Sequence, residues 1–132
     1  MIDITVDKII ENHQNLNNVG ILATTGAVSS RLWQNSLIEH GLNSVLMDKE
    51  IHKSEFMEAI YGKKGIKNNY LTEKNKKKIL KCVRNLKNKG AESIIAGCTE
   101  LPLILNQSDM DIPLFVATEA TIERIIDMFY GN

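Results

Sequence analysis

The spacing of apolar positions changes period several times along the chain, and each change marks an element. Ile2, Val6, Ile9, Ile10 and His13 recur at helical spacing, which predicts an amphipathic helix over 3–16 ended by Asn17-Asn18. Val19 to Ala23 is a short continuous apolar run, the pattern of a strand buried on both faces. Val28, Leu32, Trp33 and Leu37 return to helical spacing over 27–40. Gly41 closes that helix, where the left-handed conformation is easiest for glycine. Asn43 to Met47 reads as a second strand, and Ile51, Phe56, Met57 and Ile60 predict a helix over 49–61. After a glycine-punctuated basic loop, Thr72 is the N-cap of a long helix reaching Lys89, with Gly90 at its end. Ser93 to Ala96 is the third strand. A turn around 101–105 leads to a fourth strand, Ile112 to Val116, and a closing helix, Thr118 to Tyr130.

Short apolar strands separated by helices imply parallel pairing through right-handed crossovers. The expected fold is α/β: a three-layer, flavodoxin-like lobe with a four-stranded parallel sheet in the order 2-1-3-4 and helices on both faces. The 132 residues suffice for one core and not for two domains, and no linker or repeat divides them, so 1–132 reads as one domain. Ligands collect at the carboxyl ends of such strands, which directs attention to the loops after strands one, three and four.

Composition narrows the class. With 43% hydrophobic and 24% charged residues the chain is ordinary globular protein. No apolar run is long enough to span a bilayer, and Asp3, Asp7 and Glu11 make the N-terminus unlike a signal peptide. Two cysteines and two prolines support neither a disulfide framework nor a four-ligand zinc site. The expectation is a cytoplasmic domain without a metal. The zero net charge conceals a division: eleven of the sixteen Lys and Arg lie between Tyr61 and Gly90 beside one acid, Glu73, so this stretch is +10 and the remainder −10. On the long helix the lysines fill the face left over by Ile79, Cys82, Val83 and Leu86, with no aromatic residues between them. They read as a solvated surface rather than a nucleic-acid or membrane surface. Lys67, in the loop, stands apart as a cation able to bind an anionic substrate.

Three loops carry candidate chemistry. Gly97-Cys98-Thr99-Glu100-Leu101-Pro102 follows the third strand. A cysteine there faces backbone N–H groups and a turn of helix, both of which lower a thiol's pKa; the alternative is a small buried hydrophobe. Thr24-Thr25-Gly26 follows the first strand, where hydroxyls and free amides suit a carboxylate or phosphate or simply cap the helix. One glycine there does not make a dinucleotide fingerprint. Thr118 offers the same choice after the fourth strand. Cys82 shares the packing face of its helix and reads as structural. His13, His40 and His52 fall on helices or their ends, away from the strand termini, and suit neither ligand nor base.

Taken in order, Val19-Gly20-Ile21-Leu22-Ala23-Thr24-Thr25-Gly26, Ile60-Tyr61-Gly62, Gly65-Ile66-Lys67 and Gly97-Cys98-Thr99-Glu100-Leu101 resemble the aspartate/glutamate racemase superfamily, in its aspartate-racemase branch. The resemblance implies racemisation without pyridoxal phosphate or any other cofactor. Two cysteines on opposite faces of a substrate's α-carbon act as base and acid, each on one of two α/β lobes. It assigns Cys98 as the second-lobe thiol, with Thr24, Thr25, Lys67, Thr99, Glu100 and Thr118 around a small dicarboxylic amino acid such as aspartate or glutamate. It also implies that the lobe bearing the partner cysteine is missing, so that a first-lobe chain or self-association completes the site. Ala27 stands where the family has Thr, and Val116-Ala117-Thr118 where it has Asp-Pro-Thr. These losses keep open a non-catalytic binding module derived from such a racemase, and the +10 stretch keeps open a basic-surface adaptor for nucleic acid.

Overall fold

Side chains along β1 (Asn18–Leu22) alternate between two cores, and the rest of the molecule follows from that alternation. Val19 and Ile21 point into one core, with Ile95 and Phe115 of neighbouring strands, while Leu22 points into the other with Ile94 and Ala96. A computed structural model describes residues 2–12 and 15–130; His13, placed by pattern on the first helix, lies outside them. The strands β1, β2 (Asn43–Val45), β3 (Ser93–Ala96) and β4 (Leu114–Val116) form a parallel sheet in the order β2-β1-β3-β4. The expected topology is the observed one.

On one face lie α1 (Ile2–Asn12), α3 (Leu32–Glu39) and α7 (Ala117–Tyr130). On the other lie α6 (Glu73–Asn88) and the helical segment 49–61. Ile79, Cys82, Val83 and Leu86 are the buried stripe of α6, so Cys82 packs as a small hydrophobe. Its Sγ donates to the Lys78 carbonyl at 3.2 Å, and burial pushes its thiol up to about 12. Thr72 caps α6 by accepting from the Asn75 N–H, and Gly41 and Gly90 take left-handed backbone after their helices.

Three local departures from the pattern have identifiable causes. The helix expected over 27–40 is two helices, α2 (Thr25–Ser30) and α3, separated by Arg31 in the left-handed region (φ 60°). The Val28 carbonyl, which would accept from Leu32 in a continuous helix, accepts from Arg31 N–H and from the buried Gln34 amide instead. Leu32, on the predicted buried stripe, is therefore 58% exposed. The segment 49–61 is α4 (Lys49–Ile51), a π-helical stretch (His52–Met57) and α5 (Glu58–Tyr61). The edge strands are shorter than their apolar runs. The Leu46 carbonyl is taken by Lys89 Nζ beyond β2, and the Gln107 side chain holds Ile112 O and Leu114 N before β4.

Ile122, Ile125, Ile126 and Phe129 recur at helical spacing along α7 and are exposed, between 46% and 81%. Among the described residues no helix is long and apolar enough to cross a membrane.

Candidate active site

The carboxyl ends of β1 and β3 are held side by side. Leu22 faces Ala96 in the ladder, and Gly97 N–H donates to the Leu22 carbonyl at 2.9 Å, extending the pairing to the point where the chain leaves the sheet. Thr24 therefore begins its loop next to Cys98. On the far side Ala96 faces Val116, so the start of α7, with Thr118 in its first turn, completes the same edge. Gly97 matters locally: a Cβ there would lie 3.0 Å from Trp33 Nε1, and glycine lets the indole pack on the backbone just before the cysteine.

Around Cys98 the polar groups converge. Its Sγ donates to Glu100 Oε2 at 2.8 Å, Thr99 Oγ1 donates to the same oxygen at 3.1 Å, and Lys67 Nζ stands 3.4 Å from Glu100 Oε1. Lys67 arrives from a 3₁₀ turn (Ile66–Asn68) whose Ile66 is buried, and its ammonium lies over the Tyr61 ring, 5.1 Å from the centroid. Four of the residues assigned from sequence, Cys98, Thr99, Glu100 and Lys67, thus form one connected cluster. Thr24 and Thr25 share its edge. Thr24 occupies the N-cap position of α2 without capping any N–H, so the alternative of a simple helix cap does not describe its hydroxyl. Thr118 lies one residue inside α7 rather than at its cap.

The thiol's protonation corrects the sequence expectation. The Cys98 pKa is raised to about 11, chiefly by burial, then by the hydrogen bond to Glu100. The Glu100 N–H does pull the other way, as expected of a backbone donor, and so does the Lys67 ammonium, but both are outweighed by burial and the neighbouring carboxylate. The helix after Cys98 is a single 3₁₀ turn (Leu101–Leu103), too short to supply much dipole. Glu100 is held below the usual carboxylate range, first by the thiol it accepts from and further by its own N–H, Thr99 and Lys67.

A second correction concerns His52. Sequence spacing sets it away from the strand ends, yet its Nε2 lies 2.8 Å from the Ala23 carbonyl, immediately before Thr24. A carbonyl only accepts, so Nε2 carries the hydrogen. The ring stacks on Phe56, with centroids 5.5 Å apart. The i,i+4 spacing of His52 and Phe56 signals the stack; nothing in the linear sequence signals the bond to Ala23. Tyr61 was within reach of sequence reasoning, because it sits inside the Ile60-Tyr61-Gly62 motif. His40 lies at the end of α3, bonded to Ser36 O and Asp7.

Known proteins share the sequence pattern and the fold of this chain. An uncharacterized protein in the pnlA 3' region of Pectobacterium carotovorum subsp. carotovorum is 35% identical over 137 residues, covering all of this chain and 85% of that protein. An aspartate racemase homologue from Pyrococcus horikoshii superposes with a TM-score of 0.80 at 24% identity, and Picrophilus torridus aspartate racemase with 0.76 at 24%. Each superposition covers 96% of this chain but only 54% and 50% of those proteins, so the chain spans about half the length of these solved structures. The family model for Asp/Glu/Hydantoin racemases matches residues 1–125. The chain belongs to the Asp/Glu/Hydantoin racemase family.

Proposed function

We propose that this chain is one lobe of a cofactor-independent amino-acid racemase, with Cys98 as one of two thiols that exchange the α-proton of a small dicarboxylic amino acid such as aspartate or glutamate. The observation that carries the reading is the convergence of Cys98, Glu100 and Lys67 at the carboxyl end of β3. Inverting a stereocentre through a carbanion requires a proton to leave one face and another to arrive at the opposite face. A thiol held protonated suits the donor. As a base on the far face takes the Cα proton, the Cys98 S–H gives its proton to the near face and is left as thiolate beside the Lys67 ammonium. In the reverse direction that thiolate is the base. Lys67, Thr24, Thr25 and Thr118 offer a cation and hydroxyls to the substrate carboxylates, while Thr99 and Glu100 orient the thiol.

Cys82 is buried behind the sheet against α6's own backbone and is no second base. The opposite thiol therefore comes from a further lobe, for which the exposed apolar stripe on α7 provides packing surface. Exchange of the α-proton of L- and D-aspartate and glutamate in D2O tests the reading, with this chain alone and with a first-lobe protein. Turnover that depends on the added lobe and disappears in Cys98→Ala supports it. Robust two-way turnover by the chain alone points instead to a symmetric pair of Cys98 thiols.

Ala27, and Val116-Ala117 in place of Asp-Pro, favour one other reading, a non-catalytic dicarboxylate-binding or interaction module. Substrate binding without α-proton exchange in every assembly is its signature.

A further inference from the structure

Of the eleven basic side chains in the 61–90 stretch, five are paired among the described residues and six are not. Lys67, Lys76, Lys81, Lys87 and Lys89 each meet a carboxylate, on Glu100, Asp109, Glu55, Asp111 and Asp48. Lys63, Lys64, Lys74, Lys77, Lys78 and Arg84 meet none among the described residues; Lys63, Lys64, Lys74 and Lys78 line a cleft of about 610 Å³ between the 62–70 loop and the first turns of α6, and Lys74 and Lys78 also border a neighbouring cleft with Lys77 and Arg84. Four unpaired ammonium groups border one concavity, and only Glu58 among the lining residues opposes their charge. Such an arrangement attracts a compact multivalent anion.

The wall is preorganised. Asn75, 4% exposed, donates its side-chain amide to the carbonyls of Lys64 and Tyr70, both at 2.8 Å, pinning the loop to α6. Asn68 closes the loop on itself through the Lys63 carbonyl. The backbones that carry the lysines are thus fixed before any ligand arrives, which lowers the ordering cost of binding. Lysine binds phosphate as a mobile point charge, and the size and charge of the cleft fit a short condensed phosphate chain better than an extended strand of nucleic acid. The lining offers one aromatic side chain, Tyr70, and no row of stacking platforms.

We propose that the cleft formed by Lys63, Lys64, Lys74 and Lys78 is a binding site for a polyphosphate group, separate from the Cys98 cluster. The site does not depend on the racemase reading. Because the same loop carries Lys67 to Glu100, occupancy of the cleft also bears on the wall of the candidate active site.

Calorimetric titration of the whole chain with inorganic tripolyphosphate at low salt tests the site. Saturable one-to-one binding is expected, weakened about tenfold in Lys74→Gln/Lys78→Gln and in Lys63→Gln/Lys64→Gln. Lys49→Gln/Lys53→Gln, an equal loss of charge outside the cleft, should leave binding unchanged. Circular dichroism of each variant establishes that it is folded. A nucleoside triphosphate arm separates the two sources of such a group: equal affinity identifies the phosphate chain alone, and tighter binding identifies a nucleotide. Absence of saturable binding, equal weakening in the control pair, equal affinity for sulfate, or tighter binding of an oligonucleotide than of tripolyphosphate would overturn the proposal.

Discussion

Cys98 and Glu100 are bonded to each other across a two-residue turn, thiol to carboxylate at 2.8 Å, and each moves the other's proton affinity in the opposite direction. The carboxylate stabilises the S–H form and is itself stabilised as the anion that accepts it. Alkylation by iodoacetamide, followed residue by residue by mass spectrometry, should therefore be slow at Cys98 at neutral pH and rise towards an inflection near pH 11. Glu100→Gln removes the negative charge, so its inflection should fall and its rate at pH 8 should rise several-fold, on the order of half a pKa unit or more. Lys67→Ala removes an opposing cation and should move the inflection upward. An unchanged profile in Glu100→Gln would separate the carboxylate from the thiol's titration.

His40 joins α3 to α1. Its Nδ1 bonds the Ser36 carbonyl at 2.7 Å and its Nε2 lies 3.2 Å from Asp7 Oδ1, and only the doubly protonated ring can donate to both. The Ser36 carbonyl is the main cause of a pKa raised above 6.5, with burial opposing it and Asp7 and Asp3 adding to it. A folded-state pKa above the unfolded value gives stability that is fully present below about pH 6.5 and lost as pH rises through the folded value. Melting temperature should therefore decline slightly from pH 6 to pH 8. His40→Gln should flatten that slope, as read by thermal melts across pH.

Gly20 lies under α6. A Cβ there would sit 2.8 Å from Ile94 Cδ1, 3.1 Å from Ala91 Cβ and 3.2 Å from Leu86 Cδ1, all in the fully packed interior. Gly20→Ala should destabilise the fold by about 1–3 kcal/mol through overpacking. Urea unfolding measures this, and a neutral result would reveal slack between α6 and β1.

Ser93 opens β3 with a fully buried hydroxyl that has no hydrogen-bond partner among the described residues. Ser93→Ala removes an unsatisfied polar atom while keeping the volume nearly constant, and should stabilise by about 1 kcal/mol. The same urea series reports it.

The order of the sheet, the stripe of α6, its Thr72 cap and the two glycine stops were readable because each rests on local period or on conformations that few residues adopt. Arg31 broke the second helix against that logic. The spacing of Leu32 is correct for burial, and the competing bond from Gln34 to Val28 is a tertiary choice invisible to periodicity. The π-helical stretch likewise preserves an acceptable apolar pattern while rotating His52 towards Ala23. At the site, residue identities could be assigned from motif order, but the direction of the Cys98 shift could not. It depends on the Glu100 carboxylate turning back onto the sulfur, a rotamer that sequence adjacency leaves open.

The sheet's dimensions bear on how the site survives fluctuation. β2 and β4 each contribute three paired residues, whereas β1 and β3 pair over four and continue through Gly97. Short outer strands are the first to open, and slow amide exchange concentrates where strands are covered on both sides. Cys98 and Thr24 both hang from that inner pair, so the margins of the sheet can breathe while the spacing between these two groups is kept. Thr118, suspended from an outer strand, belongs to the part that breathes.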